Sequence, residues 1–365
     1  MKITGLEALV LQFRSGRVIR DAIHSFVDPC GVVTKVHTDE GITGWGYSYF
    51  GTSREAAWVL KLMLERQLAP VITGLDPFYP KLIRERLWQA TEYHGVVGLA
   101  HFGISAIDLA VWDIMGKAVG MPVYKLLGAH RDRIPAYAMV GWYFDSDEEY
   151  AQQCIDAVEE GFSAVKLKVG MGTLSDDLRR IKVAREAVGP EIRLMVDANQ
   201  VFDEREALRR GRAYEKYDLF WFEEPLAPQF KNALGRLAAA LDIPIATGEN
   251  DYTKYAFLDL IQKGGVDIIQ PDNRRAGGVT EWMEIAAIAD AHGIKVASHG
   301  GGAANVNMLC AMPNAIYLES GSLKNDRMHV EQLELVDGCV LAPKLPGLGT
   351  EIRQDFIDEH LADEP

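Results

Sequence analysis

One pattern occurs three times in the second half of the chain: IRLMVDAN at residues 192–199, LFWFEEP at 219–225 and IPIATGEN at 243–250. In each stretch an acidic residue closes a short apolar run. The three acids stand 26 residues apart, and they are Asp197, Glu223 and Glu249. A βαβ unit takes roughly 30 residues, so this spacing predicts equivalent strand ends in a parallel β/α structure. Three converging carboxylates favour a hard cation such as Mg²⁺.

Similar apolar runs occur over most of the chain beyond residue 135. Five further apolar runs alternate with amphipathic helical segments, and they are AYAMVGW (136–142), SAVKLKVG (163–170), VDIIQPD (266–272), IKVASHG (294–300) and AIYLES (315–320). Eight strand candidates in strict β/α alternation predict a TIM-type barrel. After the last strand, LELVDGCVLAP (333–343) has the composition of a hairpin.

The first part of the chain has a different pattern. VVTKVHT (32–38) and ITGWGYS (42–48) flank the turn signal Asp39-Glu40-Gly41, which predicts a β-hairpin. Residues 54–129 have helical periodicity. We therefore predict an α/β protein with an α+β capping domain at 1–130, a barrel at 131–329 and a C-terminal segment, 330–365, that returns to the capping domain.

Composition narrows the class of protein. The formal net charge of −14 argues against nucleic acid or an anionic membrane as a partner. The sequence shows no signal-peptide pattern and no apolar run of about 20 residues, and its four cysteines are scattered without a CxxC motif. These features are typical of a reduced cytoplasmic protein. A small acidic substrate remains compatible with the charge, because a cation and lysines can reverse the field within one cleft.

Further reactive side chains stand at the predicted strand ends: Lys166, Lys168, Asp272, His299 and Glu319. Catalytic groups of TIM-type barrels lie at the C-terminal ends of the strands, so we expect one cleft to hold a cation, a lysine pair and a histidine. Alternation along a strand sends both lysines to the same side, and it favours Glu223 over Glu224 as the inward residue. Each residue alone is more often structural than catalytic; their joint placement favours catalysis.

Those groups suit the removal of a proton next to a carboxylate. The reaction places a second negative charge on the carboxylate, which a divalent cation and an ammonium stabilise. A lysine beside another lysine and a cation is expected to have a lowered pKa and to act as a base. A histidine oriented by a carboxylate is a suitable acid or base, and Asp272 is the candidate orienting residue for His299.

With these residues in order, the chain resembles the mandelate racemase subgroup of the enolase superfamily. The resemblance rests on KLK (166–168), DAN (197–199), EEP (223–225), GEN (248–250), Asp272, His299 and Glu319, and extends to AIDLAVWDIMGK (106–117) and PGLG (346–349). It implies a modified (β/α)7β barrel with a cap, Mg²⁺ on the three acids, and Lys168 facing a His299–Asp272 dyad. It also implies that Lys166, Asn199 and Glu319 lie near the substrate, and that the protein is a homo-oligomer.

The resemblance leaves the reaction open. We expect an acid sugar dehydratase, in which Lys168 removes the α-proton and His299 protonates the departing β-hydroxyl to give a 2-keto-3-deoxy acid. A racemase or epimerase of a 2-hydroxy acid is the alternative, with Lys168 and His299 as two bases. A non-catalytic binding protein on the same scaffold is a third hypothesis, which the complete set of catalytic positions disfavours.

The residues that would select the substrate are expected in two loops of the cap, 17–24 and 49–54. These loops carry hydrogen-bonding side chains, namely Arg17, Arg20, His24, Tyr49 and Thr52. Such side chains suit a polyhydroxylated substrate, whereas a site for an aromatic ring would be more apolar. The alternative interpretation is that they are ordinary polar loop residues.

Overall fold

A computed structural model of the protein describes residues 1–14, 16, 18–95, 97–143, 146–264, 266–324 and 326–364, with the backbone alone at Phe50. The described chain forms a capping lobe and a parallel β/α barrel. Both parts of the predicted fold class are thereby confirmed.

The capping lobe contains an antiparallel sheet and a small ribbon. Its strands are β1 (Ile3–Gln12), β2 (Ile19–Arg20), β3 (Ser25–Phe26), β4 (Cys30–Thr38) and β5 (Thr43–Gly51). The main sheet has the order β1-β4-β5, while β2 and β3 form a separate two-stranded sheet. Strands β4 and β5 pair antiparallel, with His37 opposite Thr43, so the predicted hairpin is confirmed.

The α-helices that follow the sheet in the described chain are α1 (Arg54–Met63), α2 (Ala69–Ile72), α3 (Pro80–Thr91), α4 (Leu99–Val119) and α5 (Val123–Leu126). Helix α4 lies directly on β5, and glycines make this close approach possible. A Cβ at Gly44 would lie 2.0 Å from the Ala110 carbonyl oxygen, and one at Gly46 would lie 1.9 Å from that of Ala106. Both distances are far inside van der Waals contact, so β5 can carry no side chain at these two positions.

Helix α4 is long and apolar enough to cross a membrane by length and composition, and among the described residues only this helix is. However, 78% of its apolar window is buried inside the fold, and the helix carries the buried carboxylates Asp108 and Asp113. These properties are those of a core helix, which the sequence periodicity also predicts.

The barrel has eight parallel strands: β6 (Arg133–Met139), β7 (Ala164–Lys168), β8 (Arg193–Asp197), β9 (Leu219–Glu223), β10 (Ile245–Thr247), β11 (Ile268–Ile269), β12 (Lys295–Ala297) and β13 (Ala315–Ser320). Pairing of β13 with β6 closes the barrel. Alternate side chains fill its interior, where Tyr137, Met195, Trp221 and Tyr317 are buried together. The barrel is therefore a packed core, and its functional side chains lie at the strand ends.

The outer helices are α6 (Asp147–Glu160), α7 (Leu174–Val188), α8 (Glu204–Tyr214), α9 (Lys231–Ala240), α10 (Thr253–Gln262), α11 (Gly278–Ala291) and α12 (Ala303–Ala311). Local sequence fixes several of their starts. Ser146 and Thr173 form capping boxes with Glu149 and Asp176, and Asp203 caps α8 by accepting from Glu206 N.

The C-terminal segment contacts both lobes. Strands β14 (Leu335–Val336) and β15 (Cys339–Leu341) form the predicted hairpin, but β15 pairs with β6 of the barrel. The assignment of the whole segment 330–365 to the capping domain therefore needs correction, because the open edge at the start of β6 takes the hairpin. Residues beyond the hairpin do reach the cap: helix α13 (Gln354–His360) lies near β1, and Ala362 N donates to Val10 O at 2.9 Å.

Buried polar contacts join cap and barrel where α4 meets α11. Asp108 accepts hydrogen bonds from the backbone N–H (2.9 Å) and the hydroxyl of Thr280. The same hydroxyl accepts from Trp112 Nε1 at 2.9 Å. One turn earlier, Ser105 Oγ accepts from Gly277 N at 3.1 Å. Burial raises the pKa of Asp108 to about 7 despite its bonds to Thr280.

Candidate active site

Three buried carboxylates meet at the C-terminal mouth of the barrel. Asp197 ends β8, Glu223 ends β9, and Glu249 follows β10 by two residues. One oxygen from each lies within 4.8 Å of the others. The 26-residue spacing therefore brings the three acids to one point, as the sequence predicts.

The chemistry of this cluster fits a divalent cation. Burial and the charges of Asp197, Glu249 and Glu319 raise the pKa of Glu223 to about 7, although Lys166 opposes the shift. Burial and the charges of Glu249, Asp197 and Glu223 also hold the pKa of Glu224 well above its usual range, although Asn250 opposes the shift by donating to both Glu224 oxygens at 3.0 Å. Such crowding of negative charge is costly without a counter-ion, and oxygen-only ligands suit Mg²⁺.

The two lysines of β7 are buried and both reach the cluster. Lys168 Nζ lies 2.5 Å from Asp197 Oδ2, and Lys166 Nζ lies 3.8 Å from the same oxygen. Lys166 also contacts Glu223 Oε1 at 2.5 Å. Alternation along β7 thus points both side chains into the site, and the ring of Trp142 covers Lys168 Nζ at 5.2 Å from its centroid.

The sequence analysis predicts a lowered pKa for Lys168, but the charged groups of the protein, without a cation, do not lower it. Burial and Lys166 lower this pKa, but the attraction of Asp197 and Glu249 raises it more, so the net direction is upward. The expectation relied on a cation that shares the Asp197 charge. A lowered pKa is therefore a property to be sought in the Mg²⁺ form.

His299 and Asp272 form a hydrogen-bonded pair on neighbouring strand ends. Their backbones bridge in parallel, and His299 Nδ1 lies 2.6 Å from Asp272 Oδ2. Burial raises the pKa of Asp272, but Arg274 and His299 bring it well below its usual range, so Asp272 is ionised and Nδ1 donates. The other ring nitrogen, Nε2, faces the cluster 3.5 Å from Glu249 Oε2. Burial lowers the His299 pKa, whereas Glu249 and Asp272 raise it more.

Glu319, on β13, completes the ring of charged groups. Its Oε2 accepts from Tyr137 Oη and from Lys166 Nζ, each at 2.7 Å. Although burial raises its pKa, Lys166 and His299 lower it to about 2. An ionised carboxylate only accepts hydrogen bonds. In this state Glu319 organises Lys166 and Tyr137, and it could donate to a substrate carboxylate only after gaining a proton.

Asn199 lies two residues beyond Asp197 in the left-handed region, with φ of 45°. Its N–H donates to Asp197 Oδ1 at 2.8 Å. Among the described residues its side-chain oxygen is buried without a hydrogen-bond partner. The position is compatible with the substrate-binding role that the family resemblance implies.

His24 in the first cap loop is held by the buried carboxylate of Asp21. Its Nδ1 lies 2.9 Å from Asp21 Oδ2, and Asp21 Oδ1 accepts from the N–H groups of Ile23 and His24. Hydrogen bonding to Asp21 raises the His24 pKa against the effect of burial, and charges on Glu249 and Lys168 also act on it. Arg20 is exposed on β2, with its carbonyl bound to Tyr143 N at 3.0 Å. Arg17 lies outside the described residues.

The second cap loop does not match its prediction at Tyr49. This residue occupies a bulge of β5 with φ of 55°, its hydroxyl donates to Ser53 O at 2.9 Å, and its ring packs edge-on against Phe102. The bulge turns the ring onto the cap core, so we assign Tyr49 a structural role. Thr52 is exposed between β5 and α1.

The sequence analysis did not single out several residues of the site: Asp21, Tyr137, Trp142, Gln270, Arg274 and Asn305. Gln270 could have been found by alternation, since it precedes Asp272 by two residues; it donates to Glu223 Oε2 at 2.7 Å. Asn305 Nδ2 donates to the carbonyls of His299, Gly300 and Gly301 and so holds that loop. No local pattern indicates this bond.

Sequence comparison gives two family matches. Residues 9–128 match the N-terminal domain of the mandelate racemase / muconate lactonizing enzyme family, and residues 149–356 match the family described as enolase C-terminal domain-like. The chain is 33% identical to the arabinonate dehydratase of Saccharolobus solfataricus, over 90% of each chain. It is 33% identical to the D-galactarolactone cycloisomerase of Agrobacterium fabrum over the full length of both. It is 36% identical to the L-talarate/galactarate dehydratase of Salmonella typhimurium, over 87% of this chain and 79% of the relative.

Structural comparison agrees with the sequence matches. A racemase from Streptomyces coelicolor, solved with bound magnesium, superposes with a TM-score of 0.94 over 99% of this chain and 100% of that one, at 29% identity. The cap, the barrel and their arrangement are therefore shared along the whole chain.

Proposed function

This chain belongs to the mandelate racemase / muconate lactonizing enzyme family of the enolase superfamily, and on that premise we propose that it is a Mg²⁺-dependent hydro-lyase that removes water from a sugar acid. The observation that carries the proposal is the placement of two acid/base groups on the same carboxylate cluster. Lys168 contacts it at Asp197, and His299 contacts it at Glu249.

The residues that would hold Mg²⁺ are Asp197, Glu223 and Glu249. When bound, the cation stabilises the negative charge that develops on the substrate carboxylate and draws the Asp197 charge away from Lys168. The protein groups around it supply binding, orientation and proton transfer.

Lys168, in its neutral form, accepts the proton from the carbon next to the substrate carboxylate. His299 then gives its Nε2 proton to the β-hydroxyl, the C–O bond breaks, and water leaves. The enol product tautomerises to a 2-keto-3-deoxy acid. Lys166, whose ammonium lies 2.7 Å from Glu319 Oε2, would face the substrate carboxylate. Asn199, with its unpartnered buried oxygen, would accept a hydrogen bond from a substrate hydroxyl.

The cap loops would select the sugar. His24 is the best supported of the candidates, because it feels the charges of Lys168 and Glu249 and is held by a buried carboxylate. Arg20 and Thr52 are exposed in the same loops and remain candidates, as does Arg17. A set of hydrogen-bonding side chains suits a polyhydroxylated chain.

The alternative is a racemase or epimerase of a 2-hydroxy acid, which the similarity to the Streptomyces coelicolor racemase favours. It would use Lys168 and His299 as two bases for opposite faces of one carbon. The full-length similarity to a cycloisomerase supports a further alternative reaction, the isomerisation of a lactone. Dehydration and racemisation both begin with removal of an α-proton, and the three reactions differ in the product.

The deciding experiment is a screen of aldonates and aldarates with the Mg²⁺-loaded enzyme. Formation of a 2-keto-3-deoxy acid, measured as its semicarbazone, is the expected result. Inversion of a 2-hydroxy acid or opening of a lactone, without keto acid from any sugar acid, would replace the dehydratase by one of the alternatives. If none of these compounds showed turnover or α-proton exchange, the result would favour a binding protein.

We also propose that the enzyme acts in the cytoplasm as a homo-oligomer. The acidic charge and four free cysteines support the location. The oligomer is an expectation from the family resemblance, and sedimentation of the purified protein would test it.

A further inference from the structure

We propose that Arg274 is a positioning residue that fixes the Asp272 carboxylate against His299. The inference rests on the proposed function, since it assigns Arg274 to the proton-transfer step of His299. It concerns a side chain that lies behind the dyad and contacts neither the metal ligands nor Lys168 directly.

The geometry is that of a fork closed on one carboxylate. Arg274 Nε lies 3.0 Å from Asp272 Oδ1 and Nη2 lies 2.5 Å from Oδ2, while the backbone N–H of Arg274 donates to Oδ1 at 2.7 Å. Oδ2 is also the atom that accepts from His299 Nδ1. The guanidinium and the imidazole thus share one oxygen, and a planar fork leaves the carboxylate a single orientation.

Burial makes this contact consequential. The side chain of Asp272 is 1% exposed and that of Arg274 is 19% exposed. A buried carboxylate paired only with a histidine depends on that histidine for its counter-charge, and an unpaired buried charge is costly. A guanidinium is permanently charged, so Arg274 neutralises the negative charge of Asp272 whether His299 is protonated or not.

The surrounding chain accommodates the arginine. Gly300, which directly follows His299, has φ of 75°, and a Cβ there would lie 3.3 Å from Arg274 Nη2. Tyr47 of the cap lies close enough for its hydroxyl to feel the Arg274 charge, and it accepts from Asn273 Nδ2 at 3.2 Å. A glycine beside the dyad thus leaves room for a large cationic side chain.

The test separates the two halves of the reaction. In the proposed mechanism α-proton exchange with D₂O needs Lys168, whereas loss of water needs His299. We expect Arg274→Gln to lower dehydration roughly 10- to 100-fold, as loss of an orienting partner does, while α-proton exchange and KM stay within about twofold. Arg274→Lys, which keeps the charge without the fork, should recover part of the loss.

A double-mutant cycle and a surface control complete the design. If Arg274 acts through Asp272, Arg274→Gln should add nothing in an Asp272→Asn background. Arg236→Gln removes an exposed arginine with the same two-nitrogen grip, on Glu204, and should change neither half-reaction. Equal loss of exchange and dehydration, or additive losses in the double variant, would overturn the proposal.

A readout that needs no substrate keeps the inference separate from the proposed reaction. The Nδ1 proton of His299 should give a downfield NMR signal in the protein labelled with ¹⁵N-histidine, identified by its absence in His299→Asn. We expect this signal to shift or broaden in Arg274→Gln and Arg274→Lys but not in Arg236→Gln. An unmoved signal in both Arg274 variants would refute the positioning role, even if the screen of sugar acids were to fail.

Discussion

Lys166 Nζ and Glu223 Oε1 lie 2.5 Å apart and buried at the mouth of the barrel, although the two residues are 57 positions apart in the chain. The pair joins the two halves of the site, since Glu223 belongs to the carboxylate cluster and Lys166 also holds Glu319. A change of charge at Glu223 therefore affects both the cation site and the group that would face the substrate carboxylate.

The first prediction concerns this residue. Glu223→Gln should abolish turnover and weaken Mg²⁺ binding, measured by calorimetry, because an amide replaces a charged ligand. Chelation of the wild-type enzyme should do the same, and added Mg²⁺ should restore activity.

The matched control is Glu186→Gln, which neutralises an exposed carboxylate 3.6 Å from Lys182 and should change neither quantity. Full activity in excess chelator, with no metal retained, would remove the cation from the mechanism.

The second prediction separates the two acid/base residues. Lys168→Ala should abolish both α-proton exchange and dehydration, and His299→Asn should retain exchange while dehydration falls by roughly 10²–10⁴-fold. Asp272→Asn should be intermediate, because it changes only the orientation and pKa of His299. NMR of the substrate in D₂O measures exchange and dehydration together. Near-normal dehydration by His299→Asn would show that another group protonates the leaving hydroxyl.

The third prediction concerns the substrate. A sugar acid that lacks the β-hydroxyl should undergo α-proton exchange but give no keto acid, since His299 has no leaving group to protonate. Mandelate should turn over poorly, because the cap loops present hydrogen-bonding side chains. Polarimetry and the semicarbazone assay distinguish the outcomes, and fast racemisation of mandelate would support the racemase alternative.

The fourth prediction tests Asp108 between cap and barrel. Its pKa is about 7 in the folded protein against a reference value of 3.8, so its stabilising contribution is present below pH 4 and is lost as the pH rises towards 7. Asp108→Asn should therefore gain stability relative to the wild type over this range, by at most roughly 4 kcal/mol. Thermal unfolding of both proteins at matched pH values measures the gain. A difference that does not vary with pH would show that Asp108 does not titrate there.

The fifth prediction concerns the contact of α4 with β5. Gly46→Ala should destabilise the protein by roughly 1–3 kcal/mol or more, since the added methyl meets a backbone carbonyl that cannot move without shifting α4. Gly41→Ala is the control for the loss of a nearby glycine: its Cβ would meet nothing within 4 Å, and its cost is the strain of φ at 79°. Equal unfolding midpoints for wild type and Gly46→Ala would contradict the packing argument.

The sequence predicted the features that repeat. Eight alternating runs gave the barrel, and the strand-end rule gave Asp197, Glu223 and Glu249 together with the lysine pair. Their positions follow from strand geometry, which is local and periodic. The hairpin 333–343 was recognised in the same way, but its partner was not, because the pairing of β15 with β6 depends on which sheet edge is open.

The remaining differences arise where tertiary contacts decide. Tyr49 is polar and stands in a cap loop, yet a bulge turns its ring onto Phe102. Arg274 and Asp21 stand beside residues that were identified, but only the fold shows that Arg274 bonds to Asp272, the partner of His299, and that Asp21 bonds to His24. The Lys168 pKa could not be judged from sequence, since it depends on the balance between Asp197 and a bound cation.

The contacts of the segment that follows the barrel have a consequence for synthesis. Ala362 bonds to Val10, and the Thr350 hydroxyl donates to Trp45 O at 2.6 Å, so residues translated after the barrel complete the lobe that precedes it. The barrel strands, which end at residue 320, are all translated before this occurs. The cap is therefore completed after the barrel strands are made, and a nascent chain stalled near residue 345 would contain every barrel strand but lack the cap contacts of Thr350 and Ala362.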